Sequence, residues 1–410
     1  MASVRVRVRN LSGEELICLS VGRDVKVVEL RRRVAEAADV PVLRVRLLQG
    51  CTELPAQASL GDVGLHDDVQ LTLVLVKPPL VLTASHDSTA RLWDVETGEC
   101  LQSLESHWED LTSAAFSPDG KRVLTASRDC SAMLWQTETG QCLRVLEGHT
   151  GVVASADFSS DGSMVLTVSR DGTTKLWWAD TGDCLQTLRG RHINSGVLSP
   201  DCASVLTAYA SCLAVLWSVE TGERTQKFAG HEHDVTSVAF SPDGQRALTA
   251  SGDCTARVWA VPSGVCELTL AGHQSPLVSA AFSPDGAAVL TASQDTTAKL
   301  WSARTGECLH ALQGHTECLQ AATFSASGEL VLTASSDGSA RLWSTSTGEC
   351  RQTFKGHGWH VTTVAFSQDG AWVLTASCDH LAKLWCTETG ECLQTLQGHR
   401  GHVICAEFAP

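Results

Sequence analysis

The short run Val235 to Phe240, bounded by turn signals, is read as a period-two strand buried on one side. Pro242-Asp243-Gly244 then supplies a turn, because Pro presets φ and Gly admits positive φ. Ala247 to Ala250 predicts a second strand, Gly252-Asp253 a second turn, and Ala256 to Ala260 a third strand that carries Trp259. Ser263-Gly264 precedes a fourth, Cys266 to Leu270. After Val76 no stretch holds a helical period over ten or more residues.

This unit recurs. Trp93, Trp135, Trp177, Trp217, Trp259, Trp301, Trp343 and Trp385 follow one another at steps of 42 residues, except for a step of 40 between Trp177 and Trp217. Four short strands per period of this size predict propeller blades. The pairs Gly148-His149, Gly272-His273, Gly314-His315 and Gly398-His399, with the Ser-x-Asp and Leu-Trp segments, resemble the WD-repeat family from about Pro79 to Pro410. The literal Trp-Asp pair stands only at Trp93-Asp94. The repeat enters at Leu80-Val81-Leu82-Thr83, a second-strand segment, and ends at His402 to Phe408, a first-strand segment. The expected architecture for 78–410 is therefore an eight-bladed WD-repeat β-propeller. Its C-terminal strand, 402–409, pairs into the first blade and leaves no open edge at the seam.

Residues 1–77 read differently. Val4, Val6 and Val8 alternate with arginines, Leu16 to Leu19 predicts a second strand, and Val27, Leu30, Val34 and Ala38 share one face of a helix. Strands follow at Val45 to Leu48 and Val69 to Val76. The order ββαββ resembles a small α+β ubiquitin-like β-grasp domain, so the chain is expected to be mainly β. A core this small would gain from docking on the propeller. Where ubiquitin ends in a free Gly-Gly tail, this chain runs through Lys77-Pro78-Pro79, so conjugation is not expected. The resemblance places a ubiquitin-type binding patch on Leu11, Thr72 and Val74, with Leu47 or Arg46 at its isoleucine position.

Charge divides the chain. Residues 1–77 carry a formal +1 and the remainder −16. An acidic propeller argues against nucleic acid as a partner. Arg31-Arg32-Arg33 is the main basic cluster and reads as a solvated helix face. The N-terminus has no apolar core of a secretory signal, and no run approaches a bilayer span, so neither secretion nor a membrane is expected. Seven of the seventeen cysteines, including Cys100, Cys266 and Cys392, recur at the fourth-strand position, too far apart for disulfides. They read as half-buried packing residues of a protein in the reducing cytoplasm or nucleus.

His231, Ser251 and Asp253 have the composition of a catalytic triad, but the same trio returns in blade after blade. An active site needs one nucleophile with an oxyanion hole, not a copy in each repeat. The family resemblance implies a structural hydrogen-bond chain instead, running through Trp259, Ser251, His231 and Asp253. No phosphate loop, HExxH or G-x-S-x-G motif supports an enzyme, and no cofactor or metal site is expected. One blade departs: Gly190-Arg191-His192 leads a shortened loop, with Tyr209 at the Ser position and Ser211 at the Asp position. That blade is drifted or carries a binding notch beside Arg191.

Subtracting the repeat leaves the loop residues. The family resemblance implies partner binding on the face carrying the post-His loops and the turns before the Asp. Candidates there are Trp108, Asp110, Arg128, Arg170, Asp234, Trp359, His360 and His402. Loop tryptophans and arginines are typical anchors of interfaces. Arg128 and Arg170 near Trp108 suit an acidic or phosphorylated peptide. The expected function is a non-enzymatic scaffold that binds a protein or peptide, with the ubiquitin-like domain linking it to ubiquitin-pathway or other machinery. The alternatives are an autoinhibited regulatory or substrate-receptor subunit of a ubiquitin ligase or other complex, a form in which the first domain masks the propeller face, and, from another class and unsupported by any motif, an enzyme with the propeller as its platform.

Overall fold

The computed structural model describes residues 3–40, 42–55, 58–65, 68–75 and 79–410. The expected boundary at 77–78 lies outside them.

In the N-terminal domain β1 (Ser3–Arg9), β2 (Glu15–Gly22), α1 (Val27–Ala38), β3 (Val45–Gln49), β4 (Thr52–Glu53) and β5 (Val69–Leu75) form one sheet with one helix. The strand order is β2-β1-β5-β3-β4, with β1 and β5 parallel. Alternate valines of β1, Val4, Val6 and Val8, are buried with Leu30, Val34, Leu47 and Leu71. Leu47 therefore points into the core and belongs to no surface patch; the pleat turns its neighbour Arg46 to the other face. Leu11 is 78% exposed, and Thr72 and Val74 are half-buried.

Residues 80–408 form eight four-stranded antiparallel sheets. The second to eighth sheets each take four consecutive strands, at 111–146, 153–189, 193–229, 235–271, 277–312, 319–355 and 361–397. The first sheet holds Leu80–Ser85, Ala90–Asp94 and Cys100–Leu104, and is completed by Val403–Phe408, which pairs antiparallel with Leu80–Ser85. Within a sheet the first strand is innermost. Thr112 bonds the Val153 carbonyl, Thr236 that of Leu277 and Thr362 that of Val403, each from one first strand to the next. Apolar clusters join each consecutive pair of sheets, and one joins the eighth to the first through Leu384, Leu396, Val81, Trp93 and Phe408. The recurring Trp lies in the cluster between its own sheet and the preceding one, as Trp135 does with Leu82 and Leu92.

The fourth strands are outer edges. Six of the seven recurring cysteines there are exposed rather than half-buried, because no neighbouring strand covers the rim; Cys266 alone is half-covered. All seventeen cysteines are unpaired.

The N-terminal domain sits against the first and eighth sheets. Arg31 is 1% exposed and donates to Asp369 at 2.7 Å, Glu53 at 2.7 Å and the Leu54 carbonyl at 3.2 Å. It is thus not part of a solvated face, unlike Arg32 and Arg33, which pair with Glu29 along the helix. Val28 and Val42 join the apolar cluster that contains Trp372. Successive turns of an antiparallel sheet alternate between its two ends. Asp369, Glu96 and Glu388 lie in first-to-second and third-to-fourth strand turns. Trp108, Trp359 and His402 lie in loops at the other end, about 20 Å away for strands of six residues. The N-terminal domain therefore does not mask the candidate binding face, which corrects that expectation.

In the fourth sheet Tyr209 is buried and its ring lies against Gly190. The space beside Gly190 is thus filled, not left as a notch. A methyl on Gly190 would collide with the Tyr209 ring. Gly190→Ala is expected to cost about 1–3 kcal/mol in urea unfolding, as overpacking does, and Tyr209→Ser in the same chain to relieve it.

Candidate functional site

The repeated polar residues form a lock in each regular sheet. In the fifth, the Trp259 indole N–H donates to Thr249 Oγ1 at 2.9 Å, and Thr249 Oγ1 lies 2.7 Å from His231 Nε2. His231 Nδ1 is 2.7 Å from Asp253 Oδ2. The hydroxyl at the centre is therefore Thr249, and the assignment of Ser251 to this chain is corrected. Trp259 is in register with Ala247, which puts Thr249 two residues away along the strand and Ser251 four. Both face the same side because the strand period is two, so spacing alone does not choose between them. Ser251 acts elsewhere. It accepts the Asp253 N–H at 3.1 Å and donates to the His233 carbonyl at 3.0 Å, pinning the loop to the turn.

With Asp253 ionised, one proton order satisfies the chain: indole N–H to Thr, Thr O–H to Nε2, Nδ1–H to carboxylate. Burial pushes His231 below the usual histidine range, although Asp253 pulls the other way. Burial would raise Asp253, but bonds from the Thr255 hydroxyl, the Glu232 N–H and His231 outweigh it and hold the carboxyl at about 2. Thr249 is fully buried and already accepts from Trp259, so this trio is not a nucleophile poised for substrate. The lock recurs at Thr125, Thr167, Thr291, Thr333 and Thr375, and at Thr83 with His399 and Asp87 from opposite ends of the chain. In the fourth sheet Thr207 keeps its bond to Trp217 at 2.8 Å, while His192 and Ser211 are exposed.

At the loop end, Trp359, His360, His402, His380 and His86 come together, with the pair Arg128 and Asp110 near His86. Trp359 is 53% exposed and Trp108 74%. The Trp359 ring meets His402 edge-on at 5.6 Å and His360 at 6.0 Å. His402 meets His380 at 5.4 Å and His86 at 5.9 Å. Nδ1 of His402 bonds the Cys378 carbonyl at 2.6 Å and Nδ1 of His360 the Ser336 carbonyl at 2.7 Å, which fixes both rings and turns each Nε2 away from the backbone. Arg128 and Asp110 pair loosely at 3.7 Å. Burial holds His86 below the usual histidine range, helped by Arg128 and His402 and opposed by Asp110, so His86 links that pair to the aromatic group. Arg170 and Asp234 are exposed, and among the described residues no contact joins them to the cluster. Asp234 lies in the fifth sheet, where its carbonyl accepts the Gly252 N–H at 2.9 Å. His86 stands at the position before the Asp that the family resemblance placed on this face, and His380 carries part of the surface without having been among the candidates. Their signal is a histidine in the second-to-third strand turn, where other repeats carry Arg128, Gly252 or Thr296.

A second departure from the repeat faces the axis. The first strands carry Ala115, Val197, Ala239, Ala281, Thr323 and Ala365 at one level, but Asp157 and Glu407 at the same level of the third and first sheets. Burial pushes Glu407 up to about 7, against the Phe116 N–H and reinforced by Asp157. Asp157 is open to solvent yet crowded by neighbouring strands, and is raised as well. Among the described residues no three His, Cys, Asp or Glu groups converge as metal ligands, and no helix is long and apolar enough to cross a membrane.

Four-stranded sheets locked by Trp, Thr, His and Asp and packed face to face define a β-propeller. A family model described as "WD domain, G-beta repeat" matches residues 98–136, 140–177, 222–260, 264–302, 306–344 and 348–386, more than half of the chain, and the chain belongs to the WD-repeat family. The match passes over 178–221, the segment with Tyr209. The mouse F-box-like/WD repeat-containing protein TBL1X is 57% identical over 42 residues, 10% of this chain and 8% of that protein. An uncharacterised WD repeat-containing protein of Schizosaccharomyces pombe is 31% identical over 132 residues, 28% of this chain and 33% of that protein. Both matches thus span well under two thirds of the relative's length. The crystal structure of the computationally designed Ika8 protein superposes with a TM-score of 0.68 at 27% identity, covering 75% of this chain and 93% of that one.

Two outcomes follow from the lock. Thr249→Val, which strands the Trp259 N–H and His231, is expected to cost about 1–3 kcal/mol in urea unfolding, and Thr207→Val, which strands one donor, less. The pH dependence has a definite sign. His107, His149, His231, His273 and His315 are held below their ordinary range by burial, so the unfolded chain takes up protons first as pH falls through about 6.5. Stability present above that pH is lost below it. A second loss comes as pH falls from about 3.8 toward 2, where the depressed aspartates protonate. Urea midpoints between about pH 7.5 and 5 should drop with a slope of more than one proton; a flat profile would contradict the assigned proton order.

Proposed function

We propose that this chain is a non-enzymatic interaction scaffold whose propeller is an eight-bladed ring, closed at 402–409, that binds a protein or peptide partner on its loop end. The observation that carries the reading is the exposed group of Trp359, His402, His380 and His86, continuing to Asp110, Arg128 and Trp108, on the end opposite the N-terminal domain. Exposed Trp359 beside the fixed imidazoles of His360 and His402, with exposed Trp108 and Arg128 on the same end, offers aromatic anchoring with polar recognition, the composition of interface hot spots. Arg128 and the histidines favour an acidic or phosphorylated segment, while Arg170 stands apart from the group. Six family-matched repeats support protein binding in general.

The N-terminal domain is read as ubiquitin-like. Its sheet order, with parallel β1 and β5 at the centre and α1 across one face, supports a β-grasp. With Leu47 and Arg46 withdrawn, Leu11, Thr72 and Val74 are what remains of a ubiquitin-type patch, and they would link the scaffold to ubiquitin-pathway proteins. Seventeen unpaired cysteines support a reducing compartment, cytoplasm or nucleus. Affinity capture from cell extract should lose the propeller's partners with Trp108→Ala plus Trp359→Ala and keep those held by the first domain. An unchanged set of partners would remove the loop end from consideration.

A further inference from the structure

The contacts between the two domains share one sense of charge. Lys26 meets Glu388 at 2.6 Å, Arg31 meets Asp369 at 2.7 Å, Arg44 meets Glu96 at 2.6 Å and Arg46 meets Asp369 at 3.6 Å. In each the cation belongs to the small domain and the carboxylate to the propeller. Asp369 is also held by the Ser367 hydroxyl at 2.7 Å and the Ala371 N–H at 3.1 Å, so it is a fixed acceptor rather than a mobile one.

Where these carboxylates stand matters more than their number. Glu96 belongs to the first sheet, while Asp369 and Glu388 belong to the eighth. These two sheets meet where the strand Val403–Phe408 is inserted. In the other sheets a short turn links the first strand to the second. Here strand 403–408 and strand 80–85 are more than 300 residues apart in sequence, so their pairing closes the longest loop in the propeller, at the largest entropy cost. The apolar cluster at this joint contains Val403, Ala406, Phe408, Val81 and Trp93, and it continues through Ala371 and Trp372 to Val28 of α1. Trp372 is itself an exception to the repeat: the matching positions are Leu80, Arg122, Met164, Ser204, Arg246, Ala288 and Leu330.

We infer that the N-terminal domain is an intramolecular clasp on the seam of the propeller, gripping the first and eighth sheets from the end opposite the loop face and so holding the C-terminal strand in place. Opening the seam separates Glu96 from Asp369 and Glu388, and the small domain must then release one side. It must also uncover Val28 and Trp372. Because the grip is partly ionic and its rim is exposed, salt weakens it. The role is independent of what the loop face binds.

Hydrogen-exchange mass spectrometry on the full chain tests this, comparing the unmodified protein with Asp369→Asn and with Lys26→Ala plus Arg44→Ala. Amides of 403–408 and 80–85 are expected to exchange about tenfold faster in the variants, those of 235–271 at the unmodified rate. Raising the salt to about 0.5 M should act in the same direction on the unmodified chain. If Asp369→Asn, which leaves Arg31 with fewer partners, does not fold, the variant with the two partly exposed cations replaced decides the matter at the same two salt concentrations. Seam amides that keep the unmodified rate while α1 loses protection would overturn the clasp, as would seam amides that keep it in every variant that folds.

Discussion

One buried threonine hydroxyl per sheet organises the propeller. It accepts the indole N–H of tryptophan on the third strand and, in every sheet but the fourth, donates to histidine from the loop before the first strand. The histidine in turn is tied to an aspartate in the second-to-third strand turn. Two strands and two loops are thereby joined through groups that are expensive to bury unpaired. Because the chain of donors ends on a carboxylate held at about 2 in the fifth sheet, it is fully formed at neutral pH. The tryptophan that starts it also packs against the preceding sheet, so the lock within one sheet sets the surface on which the next one rests.

Against this regular background the departures become informative. The fourth sheet replaces imidazole and carboxylate with the ring of Tyr209, exchanging directed bonds for apolar volume. The axis carries Asp157 and Glu407 where the other sheets have small or apolar residues, apart from Thr323. The loop end gathers Trp359 and four histidines, and the other end bears Trp372 under the N-terminal domain. The two ends thus differ in kind. One is covered by the chain itself, and the other is left open with its aromatic side chains in water.

The domain arrangement follows from charge and shape together. The N-terminal domain, nearly neutral over residues 1–77, sets Lys26, Arg31 and Arg44 against the carboxylates of an acidic propeller. Arg31 is the case where this matters most, since it is buried and its partners come from both domains. The two terminal nitrogens of this buried guanidinium are bonded to carboxylates of both domains, and displacing the domain would leave a buried charge short of a partner.

Much of this was legible in the residues. The 42-residue tryptophan period, the short apolar runs and the turn signals between them determined the strands and their grouping, because a propeller repeat encodes its structure locally. The helix limits, Val27 to Ala38, also followed from an amphipathic face. What stayed hidden depended on distance through space. Threonine rather than serine in the lock follows from strand register, which puts Trp259 opposite Ala247. The meeting of His86, His380 and His402 follows from the packing of the eighth sheet beside the first. The burial of Arg31 required a second face of α1 to be covered by another domain. Local sequence determines which elements form. Which faces they cover was decided by the tertiary structure, because burial is a property of the neighbours as much as of the residue.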